Sequence, residues 1–87
     1  MARPKPNASQ LRLGQAIRAR RVELGKSLAD LAGGLGIATS SLSKLENGLV
    51  PITFERLETT ARLLSVDIAA LLGGAAPARA SAQAAGG

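Results

Sequence analysis

The 87-residue chain has no cysteine, no histidine, no tryptophan and no tyrosine, and a single phenylalanine. Without cysteine, neither a disulfide framework nor a thiolate metal site can form. Without histidine, the usual general base and the usual transition-metal ligand are missing. Acid–base chemistry would rest on six carboxylates alone. The chain is therefore expected to be no enzyme, with no catalytic residue, no metal and no cofactor. No apolar run approaches the ~18 residues of a membrane span. The opening Met-Ala-Arg-Pro-Lys-Pro is basic but lacks the apolar stretch of a signal peptide. A cytoplasmic protein without a membrane partner is the expectation.

Apolar residues make up 46% of the chain with only one aromatic among them, so its core has to be built from Leu, Ile, Val and Ala. That composition suits packed helices better than a sheet. Eighty-seven residues allow one domain at most. The net charge of +5 is unevenly placed. Arg3, Lys5, Arg12, Arg18, Arg20, Arg21, Lys26 and Lys44 face only Glu23, Asp30 and Glu46 in the first fifty residues. Beyond them Arg56, Arg62 and Arg79 balance Glu55, Glu58 and Asp67. The excess positive charge is confined to the first half, which favours a polyanionic partner meeting that half.

The hydrophobic spacing predicts five helices, an all-α fold. Residues 1–8 form a flexible basic arm, residues 9–74 the folded domain, and residues 75–87 a disordered Ala/Gly-rich tail or linker with no apolar face. Ser9 is the expected cap of a first helix reaching Leu24, with Leu13, Ile17 and Leu24 inward. Gly25 ends it. Ser27 and Asp30 are spaced as a capping box for a second helix running to Leu35. Gly33 and Gly34 sit inside that helix, each at a cost of up to ~1 kcal/mol relative to alanine. They either fray its last turn or allow a close approach. A third helix spans about Thr39 to Asn47 and stops at Gly48. Thr53 caps a fourth, whose buried stripe is expected to be Phe54, Leu57, Ala61 and Leu64. The lone Phe54 reads as core. Asp67 caps a last turn, Ile68 to Leu72.

The second and third of these helices are separated by a tight turn at Gly36, with Leu31, Ala32, Leu35, Leu42 and Leu45 as their apolar and small-residue skeleton. The opposite side of the third helix carries Ser40, Ser43, Lys44 and Asn47. One apolar side and one hydrogen-bonding side suit insertion into a DNA groove. Leu31 to Gly48, taken with Arg21, Pro51 and Leu57, resembles the lambda-repressor/Cro-type (Xre family) helix-turn-helix DNA-binding domains. Leu45-Glu46-Asn47-Gly48 is the most specific part of the match, which covers about Leu11 to Leu72.

The resemblance implies a five-helix lambda-repressor-like fold with the third helix reading double-stranded DNA in the major groove. It implies a transcriptional regulator, repressor being the expected mode, working at the nucleoid. Thr39, Ser40 and Lys44 match the base-contacting positions. Lysine can donate to guanine N7 and O6, whereas Ser and Thr accept several bases, so DNA shape has to add specificity. Ser27, Ser41, Ser43 and Asn47 are the expected phosphate contacts. Arg21 and Glu46 match an ion pair that is structural rather than DNA-contacting. Two departures stand out. Leu28 replaces a glutamine that usually follows the second helix's cap and reaches a phosphate. Ala38 replaces the usual Ser or Thr cap of the reading helix, and Thr39 is expected to take over as cap.

Arg3 and Lys5 follow the DNA backbone or are merely solvated; both readings stand. A single reading helix covers few base pairs, so a homodimer on DNA is expected. Its surface would be Leu49, Val50 and Ile52 together with the last helix. Similar proteins often continue into a C-terminal ligand-sensing domain, frequently of the cupin type, and the tail suits a linker to one. The alternative is an antitoxin-type or other protein-interaction module on the same fold. A purely structural helical scaffold leaves the colocalised charge unexplained.

Overall fold

The computed structural model describes residues 7–73. The tail expected at 75–87 and most of the basic arm, Arg3 and Lys5 included, lie outside the described residues. Within them are five helices and no strand: α1 (Ala8–Glu23), α2 (Leu28–Leu35), α3 (Thr39–Glu46), α4 (Phe54–Leu63) and α5 (Ile68–Gly73). α1 packs on α3 and α5, α2 on α3 and α4, and α4 on α5. Ile17, Leu31, Leu42, Leu64 and Leu71, drawn from all five helical regions, are almost fully buried at the centre. Burying such a side chain is worth roughly 1.5–3 kcal/mol relative to leaving it in water.

α1 starts earlier than the sequence suggests. Asn7, not Ser9, is its cap, and Asn7 Oδ1 accepts from the Gln10 N–H at 3.0 Å. The choice is tertiary: the Asn7 N–H donates to the Gly48 carbonyl at 3.0 Å, which fastens the start of α1 to the end of α3. α2 carries the full capping box, with Ser27 Oγ accepting from the Asp30 N–H and Asp30 Oδ2 accepting from the Ser27 N–H. Thr53 caps α4 through its hydroxyl.

The first four helices end in the same way. A residue with φ between +56° and +72° stands after the last turn, and the next N–H reaches a carbonyl five residues back. Three of these residues are Gly25, Gly36 and Gly48, for which the left-handed conformation is free of a Cβ clash. The fourth is Ser65, an L-residue that has to bear it.

Gly33 and Gly34 do not fray α2, which continues to Leu35. A Cβ on Gly34 would meet only the flexible end of Leu63 at 3.0 Å, and Gly33 faces open space. Two expected core positions are not core. Phe54 is 64% exposed, and the stripe of α4 is instead Leu57, Thr60, Ala61 and the capping Leu64. Helical side chains lean toward the N-terminus, so the first residue of α4 projects past the end of the core. Leu24, the residue capping the C-terminus of α1, is also exposed, at 39%. The buried Thr60 satisfies its hydroxyl by donating to the Arg56 carbonyl at 2.8 Å.

Candidate nucleic-acid interface

α3 owes its orientation to contacts with α1 and α2. Leu42 and Leu45 turn inward and are buried, and Ala32 lies buried on the α2 side of the same core. Gly36 closes α2, and the Ile37 N–H reaches back to the Ala32 carbonyl at 3.0 Å, so the turn is short and fixed. On the α1 side, Gly14 is decisive. A Cβ there would stand 2.5 Å from the Leu45 carbonyl oxygen and 2.7 Å from the Glu46 carbonyl carbon. A Cβ on Gly48 would likewise fall 2.7 Å from the Leu11 backbone. The backbones of α1 and of the end of α3 are therefore in direct contact, which no larger residue at 14 permits.

Arg21 and Glu46 meet across this contact. Arg21 Nε and Nη2 donate to Glu46 Oε2 and Oε1 at 2.7 and 3.1 Å, a two-bond fork. A third donor, Nη1, binds the Lys26 carbonyl at 2.8 Å. The two side chains are only 9% and 5% exposed. The Glu46 carboxylate, by hydrogen bonding and charge, raises the Arg21 pKa above its ordinary value, against the opposing effect of burial. This pair locks the C-terminal turn of α3 to α1 and to the α1–α2 turn. Arg20, its neighbour, donates from Nε to the Leu64 carbonyl at 2.9 Å and so ties α1 to the end of α4.

The opposite side of α3 is open. Thr39, Ser40, Ser41, Lys44 and Asn47 are exposed, whereas Ser43 is half-buried. Asn47 is the residue after the last turn, and its Nδ2 donates to the Ser43 carbonyl at 2.8 Å, which orients the amide. Ser27 is exposed at the start of α2, with its oxygen already accepting from Asp30. Its hydroxyl proton and the first N–H groups of α2 remain for an incoming oxygen atom. Asp30 stands beside them. Hydrogen bonds from Ser27 and, more weakly, the charge of Lys26 hold its carboxyl below the ordinary value of 3.8.

One expectation about α3 fails. Thr39 does not replace Ala38 as the cap: Ala38 occupies the cap position with φ −69° and ψ 148°, and no side chain caps the helix. The Ala38 carbonyl accepts from Ser41 and Leu42, which fixes Thr39 as the first helical residue. The Thr39 and Ser40 N–H groups consequently have no protein acceptor among the described residues. The loop after α3 also differs from expectation. Val50 and Ile52 pack against the core, and only Leu49, at 38%, and Pro51 are exposed. Leu71 is buried in α5, leaving Leu72 exposed.

This arrangement, two short helices across a glycine turn with the second presenting a polar face, has counterparts among known proteins. A helix-turn-helix family model matches residues 17–71. The chain belongs to the helix-turn-helix family. Uncharacterized HTH-type transcriptional regulators of Sinorhizobium medicae (strain WSM419) and of Rhizobium meliloti (strain 1021) are each 34% identical over 64 residues. That match takes in 74% of this chain and 46% of each relative, so the helix-turn-helix chain spans about half the length of these curated relatives. Among solved structures, the clp gene regulator ClgR from Corynebacterium glutamicum is similar with a TM-score of 0.73 and 32% identity, over 92% of this chain and 86% of that one. The biofilm regulator SinR, solved in complex with DNA, is similar with a TM-score of 0.64 and 38% identity, over 69% and 97%.

Sequence reasoning missed Gly14, the Asn7 cap and the Arg20 link to α4. Only Gly14 had a visible signal, a glycine in the middle of an otherwise helical segment where it costs stability unless something needs its absent side chain.

Proposed function

We propose that the chain binds double-stranded DNA sequence-specifically as a transcriptional regulator, with α3 lying in the major groove. The observation that carries this is the two-sidedness of α3. Leu42 and Leu45 are buried while Thr39, Ser40 and Lys44 are exposed, on a helix anchored by a backbone contact and a buried ion pair. A reading helix has to be held rigidly to discriminate bases, because each misplaced hydrogen bond forfeits its specificity. The likeness to SinR, which was solved in complex with DNA, supports the same mode here.

In this reading Thr39, Ser40 and Lys44 contact base edges, Lys44 donating to guanine. Ser27, Ser41, Ser43 and Asn47 contact phosphates, and Arg21 with Glu46 holds the helix without touching DNA. One lysine and two hydroxyls specify few base pairs, so two copies bind a pseudo-palindrome whose half-site centres lie about 10 base pairs apart. Leu49 and Leu72 are the exposed apolar residues of the expected dimer surface, with Phe54 a third exposed apolar side chain at the start of α4. Genomic fragments retained by the chain in a gel shift, once sequenced, are expected to share such a two-fold motif. Retention without any common motif contradicts the reading.

A further inference from the structure

Beside the reading helix, α1, the start of α2 and the end of α3 enclose an open cleft of about 260 Å³. Its walls are Leu11, Gln15 and Arg18 from α1, Leu28 from α2, and Ser43 and Asn47 from α3. The buried Arg21–Glu46 pair lines it from below. Because both Glu46 oxygens already accept from Arg21, the pair adds no net charge to the cleft. Gln15, Arg18 and Arg21 recur every three residues, which puts them on one face of α1. Arg18 is exposed and has no ion-pair partner among the described residues.

The donors in this cleft outnumber the free acceptors. Arg18 brings five N–H groups and the Gln15 amide two more, whereas the Asn47 amide is turned to Ser43, its Nδ2 donating to the carbonyl at 2.8 Å and reaching Oγ at 3.5 Å. Leu11 and Leu28 are apolar, so any cationic donation has to come from Arg18 on α1. A cleft with one unpaired guanidinium and the Gln15 amide fits an anion with several oxygens, and a guanidinium fork matches phosphate geometry. Resting on the reading of α3 proposed above, we infer that this cleft seats one phosphodiester of the DNA backbone flanking the bases under α3, with Arg18 and Gln15 as its donors. α1 is then a third DNA-contacting element and sets the register of α3 along the groove.

The test is the salt dependence of duplex binding by the full chain and its variants. Arg18→Ala is expected to weaken binding to every duplex alike, roughly fivefold, as loss of one exposed charge contact would. It should also lower the slope of log K against log salt by about 0.9, the increment for one phosphate. Arg18→Lys keeps the slope, and Gln15→Ala weakens binding without changing it. Arg62→Ala, which removes an exposed arginine on α4 away from the cleft, leaves both quantities as in the parent. Parent-like affinity and slope in Arg18→Ala overturn the site while the reading of α3 stands. The same slope loss in Arg62→Ala, or in Arg18→Lys, also overturns it, because bulk charge or damaged structure would then be the cause. A parent chain that binds no duplex overturns the reading of α3 and this site together.

Discussion

Replacing Glu46 by alanine strands the Arg21 guanidinium among buried groups with the Lys26 carbonyl as its one remaining partner. Breaking a buried pair from one side typically costs 3–5 kcal/mol. Here the pair borders an open cleft, so water can enter and reduce the loss to roughly 2–4 kcal/mol. For a domain of this size each kcal/mol corresponds to about 4–8 °C in Tm, so Glu46→Ala should melt on the order of 10–25 °C lower. Arg21→Met alone should cost a similar amount, since it leaves a buried carboxylate without its donors. The double variant Arg21→Met/Glu46→Leu removes both charges and substitutes apolar volume. It should lose less than either single variant, or nothing. Urea unfolding followed by circular dichroism gives the four corners of the cycle. Coupling of about 2 kcal/mol or more is the expected result. Additive losses would mean that the fork does not exist in solution, and the account of how α3 is held would fail with it.

Three further outcomes follow from the same packing. Gly14→Ala forces a Cβ against the Leu45 and Glu46 carbonyls; it should cost roughly 1–3 kcal/mol in urea unfolding, and the surviving folded fraction should bind DNA less specifically because α3 is displaced. Ser65→Gly relieves an L-residue at φ +56° and should raise stability by up to ~1 kcal/mol, the steric relief being partly offset by the freer unfolded chain. Asp30 has its folded pKa below the ordinary 3.8, so its capping contribution is complete above that pH and is lost as pH falls toward the folded value. An acid titration of stability should therefore be less steep below about pH 4 in Asp30→Asn than in the parent.

The sequence makes the helices legible where their signals are local. The Ser27–Asp30 box, the Thr53 cap and the stops at Gly25, Gly36 and Gly48 depend on neighbours within a few residues, and each appears where its spacing puts it. Misreadings occur where a distant contact or a helix end decides. Asn7 outcompetes Ser9 because its N–H reaches Gly48, forty-one residues away in sequence. Phe54 satisfies the helical period yet lies beyond the core, because the period does not say how far the core extends. Val50 and Ile52 are covered by a core whose extent no loop sequence encodes. At the interface, the polar side of α3 can be read from residue type and spacing. The cleft formed by Gln15 and Arg18 cannot, since it exists only after α1 has packed against α3.

The direct test of Lys44 donating to a guanine in the major groove is methylation interference on a selected duplex. Methyl groups at guanine N7 occupy the atom that Lys44 is expected to contact. A methylated guanine in each half-site should block binding by the parent, and the same guanine should be tolerated by a Lys44→Ala variant that retains its fold. Binding insensitive to N7 methylation at every guanine, or equal sensitivity in the parent and in Lys44→Ala, would contradict this placement of α3.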